Sequence, residues 1–372
     1  MKDKKRKNHD KMNKETSIID VDSEEEITNN PESDLQEQLH VDKKFTLEDL
    51  KPAFIDRYTK LIGEENFACF KEFSSKYIKK TIRVNTLKTT VDEIKRRLET
   101  DWILEQVPWC KEGFWIKYRH GERFDIGNVP EHQLGYFYVQ DAASMIPPVV
   151  LAPKPGEIVL DLCAAPGSKT TQLAQYMNNE GLLIANDSQG KRLSALGLNT
   201  QRCGVRNILI TKMDGERLSQ KEMFDKILVD APCSGTGTIR RNYKIIEMWS
   251  PHLVSKLSGI QYKLLSNAFN ALKQGGELVY STCTLEPEED EKVVSRLLEN
   301  NPDAEMLDIT LNIKRSPAIL EFEGQKYDPR VSKCLRIYPQ DNDSEGFFVA
   351  KIKKKEKTWT YSYSLQRSWQ LI

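Results

Sequence analysis

The chain of 372 residues carries 55 basic and 55 acidic side chains, so its formal net charge is zero, and 39% of its residues are hydrophobic. This composition predicts a globular protein with a full hydrophobic core and more than one domain. No apolar run approaches the ~20 residues that a membrane helix needs, and no apolar stretch follows the lysine-rich start, so we predict neither a transmembrane segment nor a signal peptide and expect a cytoplasmic protein, or a nuclear one in a eukaryote.

Residues 1–44 differ in composition from the rest of the chain. A basic arm from Lys2 to Lys14 precedes an acidic stretch from Asp20 to Glu26, with few apolar residues in either. This pattern predicts a disordered, charged tail. The basic arm contacts nucleic acid, serves as a targeting signal or is simply solvated, and solvation is the simplest interpretation. Residues 356–372 are interpreted as a second tail.

Residues 45–128 are predicted to form a small α+β domain. FIDRYTKLI, FACFKEF and VDEIKRRLE have helical spacing, whereas TIRVNTLKT, WILEQVP and GFWIKY have the pattern of strands. Basic groups neutralise phosphates and aromatic rings stack on unpaired bases, so a mixture of the two indicates RNA binding, unless the charges are merely solvated and the rings belong to the core. The residues in question are Lys71, Lys76, Lys79, Lys80, Arg83, Lys111, Lys117, Arg119 and Arg123, with Trp109, Phe114, Trp115 and Tyr118.

Beyond residue 156, strand patterns alternate with helical ones. EIVLDLC, GLLIAND, NILITKMD, FDKILVDAP and GELVYST are separated by helical stretches, which predicts a doubly wound, mostly parallel sheet, and LRIYPQ with GFFVAKIKK predicts a closing antiparallel pair. Ligands of such sheets bind at the carboxyl ends of the strands. The side chains expected there are Asp161, Asp187, Asp214, Asp230 and Cys283.

The loop in DLCAAPGSKTTQLA connects the first of these strands to a helix. It matches neither G-x-G-x-x-G nor G-x-x-x-x-G-K-[ST], which disfavours a dinucleotide or a triphosphate. Asp187 follows Gly167 by twenty residues (187 minus 167), at the end of the next strand, where a carboxylate can accept hydrogen bonds from a ribose. S-adenosylmethionine fits this pattern, because it has a ribose and a sulfonium that tolerates acidic neighbours. The alternative is that these aspartates cap helices.

Two cysteines stand at the ends of strands that are expected to be adjacent. The seven cysteines of the chain include no C-x-x-C pair, which argues against a disulfide framework and against a zinc site, so no metal is predicted. Cys233 lies in DAPCSGTGTIRRN and Cys283 in YSTCTLEPEED. A buried lone thiol is normally structural, but two at neighbouring strand ends indicate chemistry. The acidic residues of EPEED are expected to cap their own helix.

These segments together resemble the NSUN/Sun (Fmu) family of RNA cytosine-C5 methyltransferases, over residues 75 to 353. QDAASMIPPVVL and EGFFVAKI also match. The resemblance implies a class I Rossmann-like methyltransferase domain over residues 129–355, with Cys283 as the nucleophile, Cys233 assisting product release and Asp230 contacting the cytosine edge. It also implies that S-adenosylmethionine contacts Cys163, Ala164, Ala165, Pro166, Gly167, Ser168, Lys169, Asp187, Asp214 and Asp230, with Arg192 nearby.

DNA methylation and non-catalytic RNA binding are the two alternatives to this activity. DNA cytosine-C5 methyltransferases attack with the cysteine of the PC pair and need no cysteine in a TC pair, so the presence of both favours RNA. A non-catalytic RNA-binding assembly factor would be expected to have lost a cysteine or the cofactor loop.

The sequence indicates the reaction more clearly than it indicates which RNA is the substrate. IRVNTLK and VPWCKEGFWI resemble archaeal transfer-RNA members of the family, which makes tRNA the expected substrate. The NNEG and WSP segments are similar to those of bacterial members that act on ribosomal RNA, which is the alternative. A monomer is expected.

Overall fold

The computed structural model describes residues 50–121, 123 and 125–356. The tail predicted for residues 1–44 lies outside the described residues, as does all but the first residue of the tail predicted for 356–372. Among the helices of the described part, none is both long enough and apolar enough to cross a membrane.

The amino-terminal part contains two helices followed by a four-stranded antiparallel sheet with strand order β2-β3-β1-β4. A helix with Thr90 as its N-cap covers this sheet, and the Thr90 side chain accepts a hydrogen bond from the backbone N–H of Glu93 at 3.2 Å. The elements are α1 (Pro52–Ile62), α2 (Glu64–Ser74), β1 (Thr81–Val84), α3 (Val91–Leu98), β2 (Trp102–Gln106), β3 (Gly113–Tyr118), α4 (Pro130–Gln133) and β4 (Phe137–Val139).

Strand β4 extends this sheet beyond residue 128, where the sequence analysis ended the amino-terminal domain. Phe137 pairs with Val84, and Val139 pairs with Ile82. The strand has only three residues, so no alternation of polar and apolar side chains could reveal it. Its pairing with β1 is a long-range contact.

The carboxy-terminal part is the expected doubly wound sheet. Its strand order is β10-β14-β9-β8-β5-β6-β7, with β13 paired to β14. Strands β5 to β9 run parallel, and β14 closes the sheet in the antiparallel direction, as the sequence predicted. The elements are α5 (Ile146–Leu151), β5 (Ile158–Asp161), α6 (Ser168–Tyr176), β6 (Leu182–Asn186), α7 (Gly190–Cys203), β7 (Ile208–Thr211), β8 (Phe224–Asp230), α8 (Lys244–Met248), α9 (Pro251–Ala271), β9 (Leu272–Thr282), α10 (Glu291–Asn300), β10 (Ala304–Leu307), β11 (Glu321–Phe322), β12 (Gln325–Lys326), β13 (Leu335–Ile337), α11 (Pro339–Asn342) and β14 (Phe347–Lys354).

Both faces of the large sheet are buried. Val159 and Leu228 pack in one hydrophobic cluster with Leu173 of α6, whereas their neighbours Leu160 and Val229 pack in another cluster under α9 and α10. Successive side chains of a strand point to opposite faces, so central strands covered on both sides must be apolar throughout. This explains why their sequences are continuous hydrophobic runs.

Arg83, which the sequence analysis placed among the RNA-binding cations, is fully buried. Its guanidinium donates hydrogen bonds to the backbone oxygen of Ser168 at 2.8 Å, to Thr171 Oγ1 at 2.8 Å and to the side chain of Gln140. The prediction was therefore wrong for this residue, because β1 lies inside the molecule and Arg83 joins it to the first turn of α6. Trp109 and Phe114 are also buried, which agrees with the alternative that these rings belong to the core.

Candidate active site

The side chains predicted at the strand ends lie along one edge of the large sheet. Asp161 and Asp230 are the last residues of β5 and β8, Asp187 directly follows β6, and Cys283 directly follows β9. The parallel pairing of these strands brings their carboxyl ends to the same edge. Asp214 follows β7 at the far side of the sheet.

The loop of residues 163–169 is held against the edge by backbone hydrogen bonds. Ala164 N–H donates to the Asn186 backbone oxygen at 2.8 Å, and Ala165 N–H donates to Asp187 Oδ2 at 3.2 Å. Gly167 precedes α6 with a φ of 110°, and a Cβ at this position would lie 2.9 Å from Leu196 Cδ1. Glycine is required here both by the backbone conformation and by the close approach of α7.

Asp161 is a buried carboxyl group at the centre of the edge. Its Oδ2 accepts a hydrogen bond from Thr170 Oγ1 at 2.7 Å, whereas its Oδ1 has no hydrogen-bond partner among the described residues. Burial raises the pKa of Asp161 to about 7, and the negative charges of Asp230 and Asp187 act in the same direction. Such a concentration of carboxyl groups fits a cationic ligand such as a sulfonium with an α-ammonium group.

Asp187 and Asp214 have different surroundings. Asp187 is buried, and its carboxylate accepts hydrogen bonds from the N–H of Gln189 at 2.9 Å and from Ala165, with Arg192 Nη1 at 3.4 Å. The Arg192 guanidinium also donates to the Ala165 backbone oxygen, so it joins Asp187 to the loop. Asp214 is about half exposed and accepts a hydrogen bond from the N–H of Glu216 at 3.0 Å, which caps a short turn.

Lys169 and Asp230 form an ion pair between the loop and the end of β8. Lys169 Nζ lies 2.6 Å from Asp230 Oδ2, and Ser281 Oγ donates to Asp230 Oδ1 at 2.7 Å. Ser281 is the residue of β9 that pairs with Asp230 in the sheet. The carboxylate of Asp230 is thus oriented from both sides.

The Sγ atoms of Cys233 and Cys283 lie 3.2 Å apart. All seven cysteines are reduced thiols; Cys233 is buried and Cys283 is partly buried. The loop after Cys233 lies directly on the turn that holds Cys283, since Gly237 N–H donates to the Cys283 backbone oxygen at 2.9 Å. A Cβ at Gly237 would lie 2.7 Å from that oxygen and 2.3 Å from the backbone oxygen of Gly346, so only glycine fits.

Buried hydroxyl groups connect the same two segments. Thr284 Oγ1 lies 2.8 Å from Ser234 Oγ and 3.0 Å from Thr236 Oγ1, and Leu285 N–H donates to Thr236 Oγ1 at 2.9 Å. Each hydroxyl satisfies a neighbour that burial would otherwise leave without a partner. The thiol pair therefore sits in a rigid setting.

The acidic residues of EPEED do not cap their own helix, so that expectation was wrong. Helix α10 has no side-chain hydrogen bond at its N-cap, and the acidic side chains bind distant residues instead. Glu286 accepts from Arg57 at 2.8 Å, and both Asp290 and Glu291 bind the buried Arg336, at 2.8 and 2.6 Å. The only local signal was an acidic run between a cysteine and an amphipathic helix, which does not distinguish capping from long-range pairing.

Two family models match the chain. The model described as 16S rRNA methyltransferase RsmB/F covers residues 148–353, more than half of the chain, and the N-terminal domain of 16S rRNA methyltransferase RsmF covers residues 50–142. The chain belongs to the RsmB/F methyltransferase family. The family resemblance, the methyltransferase fold and the cofactor S-adenosylmethionine predicted from the sequence are confirmed by this membership.

Relatives in this family act on two kinds of RNA. The chain is 45% identical over 318 residues to the tRNA (cytosine(49)-C(5))-methyltransferase of Pyrococcus abyssi, covering 84% of this chain and 99% of the relative. It is 44% identical over 286 residues to ribosomal RNA small subunit methyltransferase F of Aliivibrio fischeri, covering 76% of this chain and 59% of the relative. The chain is thus an S-adenosylmethionine-dependent RNA cytosine-C5 methyltransferase.

Solved structures have the same fold. A crystal structure of a methyltransferase homologue from Pyrococcus horikoshii superposes with a TM-score of 0.71 at 39% identity, covering 83% of this chain and all of that one. The structure of NSun6 from Pyrococcus horikoshii with SFG has a TM-score of 0.73 at 24% identity, covering 84% of this chain and all of that one. At this identity the second likeness shows the fold alone.

Proposed function

We propose that this RsmB/F enzyme methylates C5 of a cytosine in tRNA through a covalent bond between Cys283 Sγ and C6 of the base. The observation that carries the proposal is the pair of thiols 3.2 Å apart at the ends of two adjacent parallel strands. C5 of cytosine is a poor nucleophile until a thiolate adds at C6. A second thiol beside the first is positioned to act on the same adduct.

The reaction has three steps. The Cys283 thiolate adds to C6 of a base that has left its stack, and the electrons of the C5=C6 double bond make C5 nucleophilic. S-adenosylmethionine, when bound, would supply the methyl group: its S–CH₃ bond would break as C5 takes up the methyl, leaving the neutral thioether S-adenosylhomocysteine. The C5 proton then leaves to a base, its electron pair re-forms the double bond, and the S–C6 bond breaks to return a thiolate to Cys283. Cys233 assists this last step.

Asp230 is assigned to the cytosine edge. Lys169 and Ser281 each bind one oxygen of its carboxylate, which fixes the orientation of the group. A carboxylate in this position accepts a hydrogen bond from the base and favours the protonated ring during addition.

The cofactor is assigned to the loop of residues 163–169 together with Asp187, Asp214 and Asp230. The left-handed backbone of Gly167 and the buried Asp161 Oδ1, which has no hydrogen-bond partner among the described residues, support this assignment. Asp187 is the expected acceptor for the ribose. Arg192 holds Asp187 against the loop and is assigned a supporting role.

A tRNA substrate is favoured by the extent of the matches. The match to the archaeal tRNA enzyme covers 84% of this chain at 45% identity, whereas the match to the bacterial ribosomal RNA enzyme covers 76% of this chain at 44% identity. Ribosomal RNA is the second candidate, because both matching family models describe 16S rRNA methyltransferases. Bisulfite sequencing of total RNA incubated with the enzyme and S-adenosylmethionine distinguishes them, since it identifies the modified molecule.

The amino-terminal part is assigned to RNA affinity. Its Lys79 is about half exposed and lies 3.4 Å from Asp343, and Arg240 binds the same Asp343 and the backbone oxygen of Tyr77. Arg241, also about half exposed, follows in the loop of Cys233. These contacts join Lys79, through Asp343, to the segment that carries Arg240 and Arg241. We assign Lys79 and Arg241 to the phosphate backbone of the RNA.

Replacing each of the two thiols is expected to block a different step of the reaction. Cys283→Ala removes the nucleophile, so methylation should fall by roughly 10⁴-fold or more and no covalent complex should form. Cys233→Ala should still permit addition but leave the enzyme bound to RNA as a denaturant-resistant band. Denaturing gels after incubation with RNA and S-adenosylmethionine separate these outcomes. A trapped complex from Cys283→Ala with none from Cys233→Ala would reverse the roles and indicate the DNA-type mechanism.

A further inference from the structure

A buried carboxyl group lies behind the loop that carries Cys233. Glu289 Oε2 accepts a hydrogen bond from the backbone N–H of Ser234 at 3.0 Å. Gln261 Nε2 donates to the same oxygen at 2.7 Å and to the backbone oxygen of Pro232 at 2.9 Å. The two side chains thus bind the backbone on both sides of Cys233.

Glu289 is itself fixed to the strand that leads to Cys283. Its side chain is fully buried, and its backbone oxygen accepts a hydrogen bond from the hydroxyl of Tyr280 in β9 at 2.5 Å. Its backbone N–H donates to the backbone oxygen of Glu286 at 3.0 Å, which closes the turn before α10. Glu289 therefore connects the segment after one thiol to the loop of the other.

The charge state of Glu289 is compatible with a nearby thiolate. Burial raises its pKa to about 8, so the group is mostly neutral at pH 7. Its Oε1 has no hydrogen-bond partner among the described residues. A neutral acid keeps its acceptor oxygen for the loop without placing a negative charge beside the segment that carries Cys233.

We propose that Glu289 and Gln261 are positioning residues that hold Cys233 within reach of the Cys283–cytosine adduct. Because these hydrogen bonds go to the backbone on both sides of Cys233, their loss should slow release and spare addition by Cys283. In the affected step the C5 proton leaves, its electron pair re-forms C5=C6, and the S–C6 bond breaks to restore the Cys283 thiolate. The inference rests on the roles proposed above for the two thiols.

The test compares Glu289→Leu with Glu289→Gln. Leucine has a similar size but no acceptor, whereas the glutamine amide keeps an oxygen for Ser234 and Gln261, and its NH₂ resembles the O–H of the neutral acid. We expect Glu289→Leu to accumulate the denaturant-resistant RNA complex and to lose turnover by about 100-fold, the lower end of what general acid–base assistance contributes. Glu289→Gln should turn over within about threefold of the wild-type rate and trap no complex. A threefold change corresponds to a difference of less than about 0.7 kcal/mol in activation free energy.

Cys233→Ala is run beside these variants as the reference for a trapped complex. If Cys233→Ala traps RNA but folded Glu289→Leu does not, the positioning role is refuted while the thiol roles stand. If Cys233→Ala traps nothing, the thiol assignment fails, and the inference fails with it. Should Glu289→Leu not fold, as judged by thermal unfolding, Gln261→Met decides by the same gel, because it removes the hydrogen bonds to the Pro232 backbone oxygen and to Glu289.

Discussion

Charged residues were predicted to be functional in two regions, the carboxyl edge of the large sheet and the four-stranded amino-terminal sheet. Their predicted positions hold in the first region but not throughout the second. Asp161, Asp187 and Asp230 lie where they were expected, because each ends or follows a strand whose parallel pairing determines its position. In the smaller sheet, Arg83 is buried and Arg119 is exposed, although both were grouped as RNA-binding cations.

This difference shows which charged residues can be located without a structure. Chain connectivity places the ends of parallel strands at one edge, whatever the side chains are. The exposure of a charge along an antiparallel strand depends instead on which face another part of the protein covers. Composition alone therefore overestimates an RNA-binding surface.

Arg83→Met tests the buried side of this comparison and has the largest expected effect. The substitution leaves the buried Gln140 side-chain oxygen without the Arg83 donor and removes one of the donors to the Ser168 carbonyl, which keeps a hydrogen bond from Thr171 Oγ1. Thr171 Oγ1 also loses its donor, and the free energy of unfolding should fall by about 3 kcal/mol. Arg119→Met is the control and should change it by less than about 0.5 kcal/mol. Urea unfolding measures both. Equal stability of the two variants would show that burial does not distinguish these arginines.

Asp187→Ala tests the cofactor edge. Losing a charged acceptor should weaken S-adenosylmethionine binding by about 1.5 to 3 kcal/mol, or about tenfold to a hundredfold, as measured by calorimetry. Part of that loss comes from the loop, because the Ala165 N–H also loses its partner. Asp187→Asn keeps one acceptor oxygen and should lose less. Unchanged affinity in the alanine variant would remove this residue from the cofactor site.

Asp161→Asn tests the buried carboxyl at the centre of the edge. Its pKa of about 7 in the folded protein lies above the ordinary value of 3.8, so between these values the folded state holds a proton that the unfolded state has released. The contribution of Asp161 to stability is therefore largest below pH 4 and is lost as pH rises to 7, by at most about 1.4 kcal/mol per pH unit. In Asp161→Asn, the free energy of unfolding measured without cofactor should decline less steeply with pH over this range. An identical slope in both proteins would contradict the raised pKa.

The combined substitution Lys79→Met and Arg241→Met tests the exposed side and has the smallest expected effect. Each lost phosphate contact should reduce the slope of log affinity against log salt by about 0.7 to 0.9, so the slope of the double variant should be smaller by about 1.4 to 1.8. Arg83→Met should leave the slope unchanged, because the buried guanidinium meets no phosphate. S-adenosylmethionine binding is measured in parallel and should be unaffected. A wild-type slope in the double variant would place the RNA on another face.

The sequence was sufficient for the strands of the large sheet other than β10, and for the proximity of the two thiols. Continuous apolar runs and intervening helical patterns predict parallel strands, and Cys233 and Cys283 follow two strands that pair directly. The 3.2 Å between their sulfur atoms then depends on the glycine loop that packs on the Cys283 turn.

The tertiary structure alone decided which buried polar groups pair. Arg57 binds Glu286 from 229 positions away in the chain, and Arg83 binds Ser168 from 85 positions away. Local patterns report whether a segment is helical or extended, because those conformations depend on near neighbours. The partner of a buried charge is set by how distant elements pack, and its burial sets both its pKa and its role. For this reason Asp230 and Cys283 could be located from the sequence, whereas the positions of Glu289, Gln261 and Arg83 required the structure.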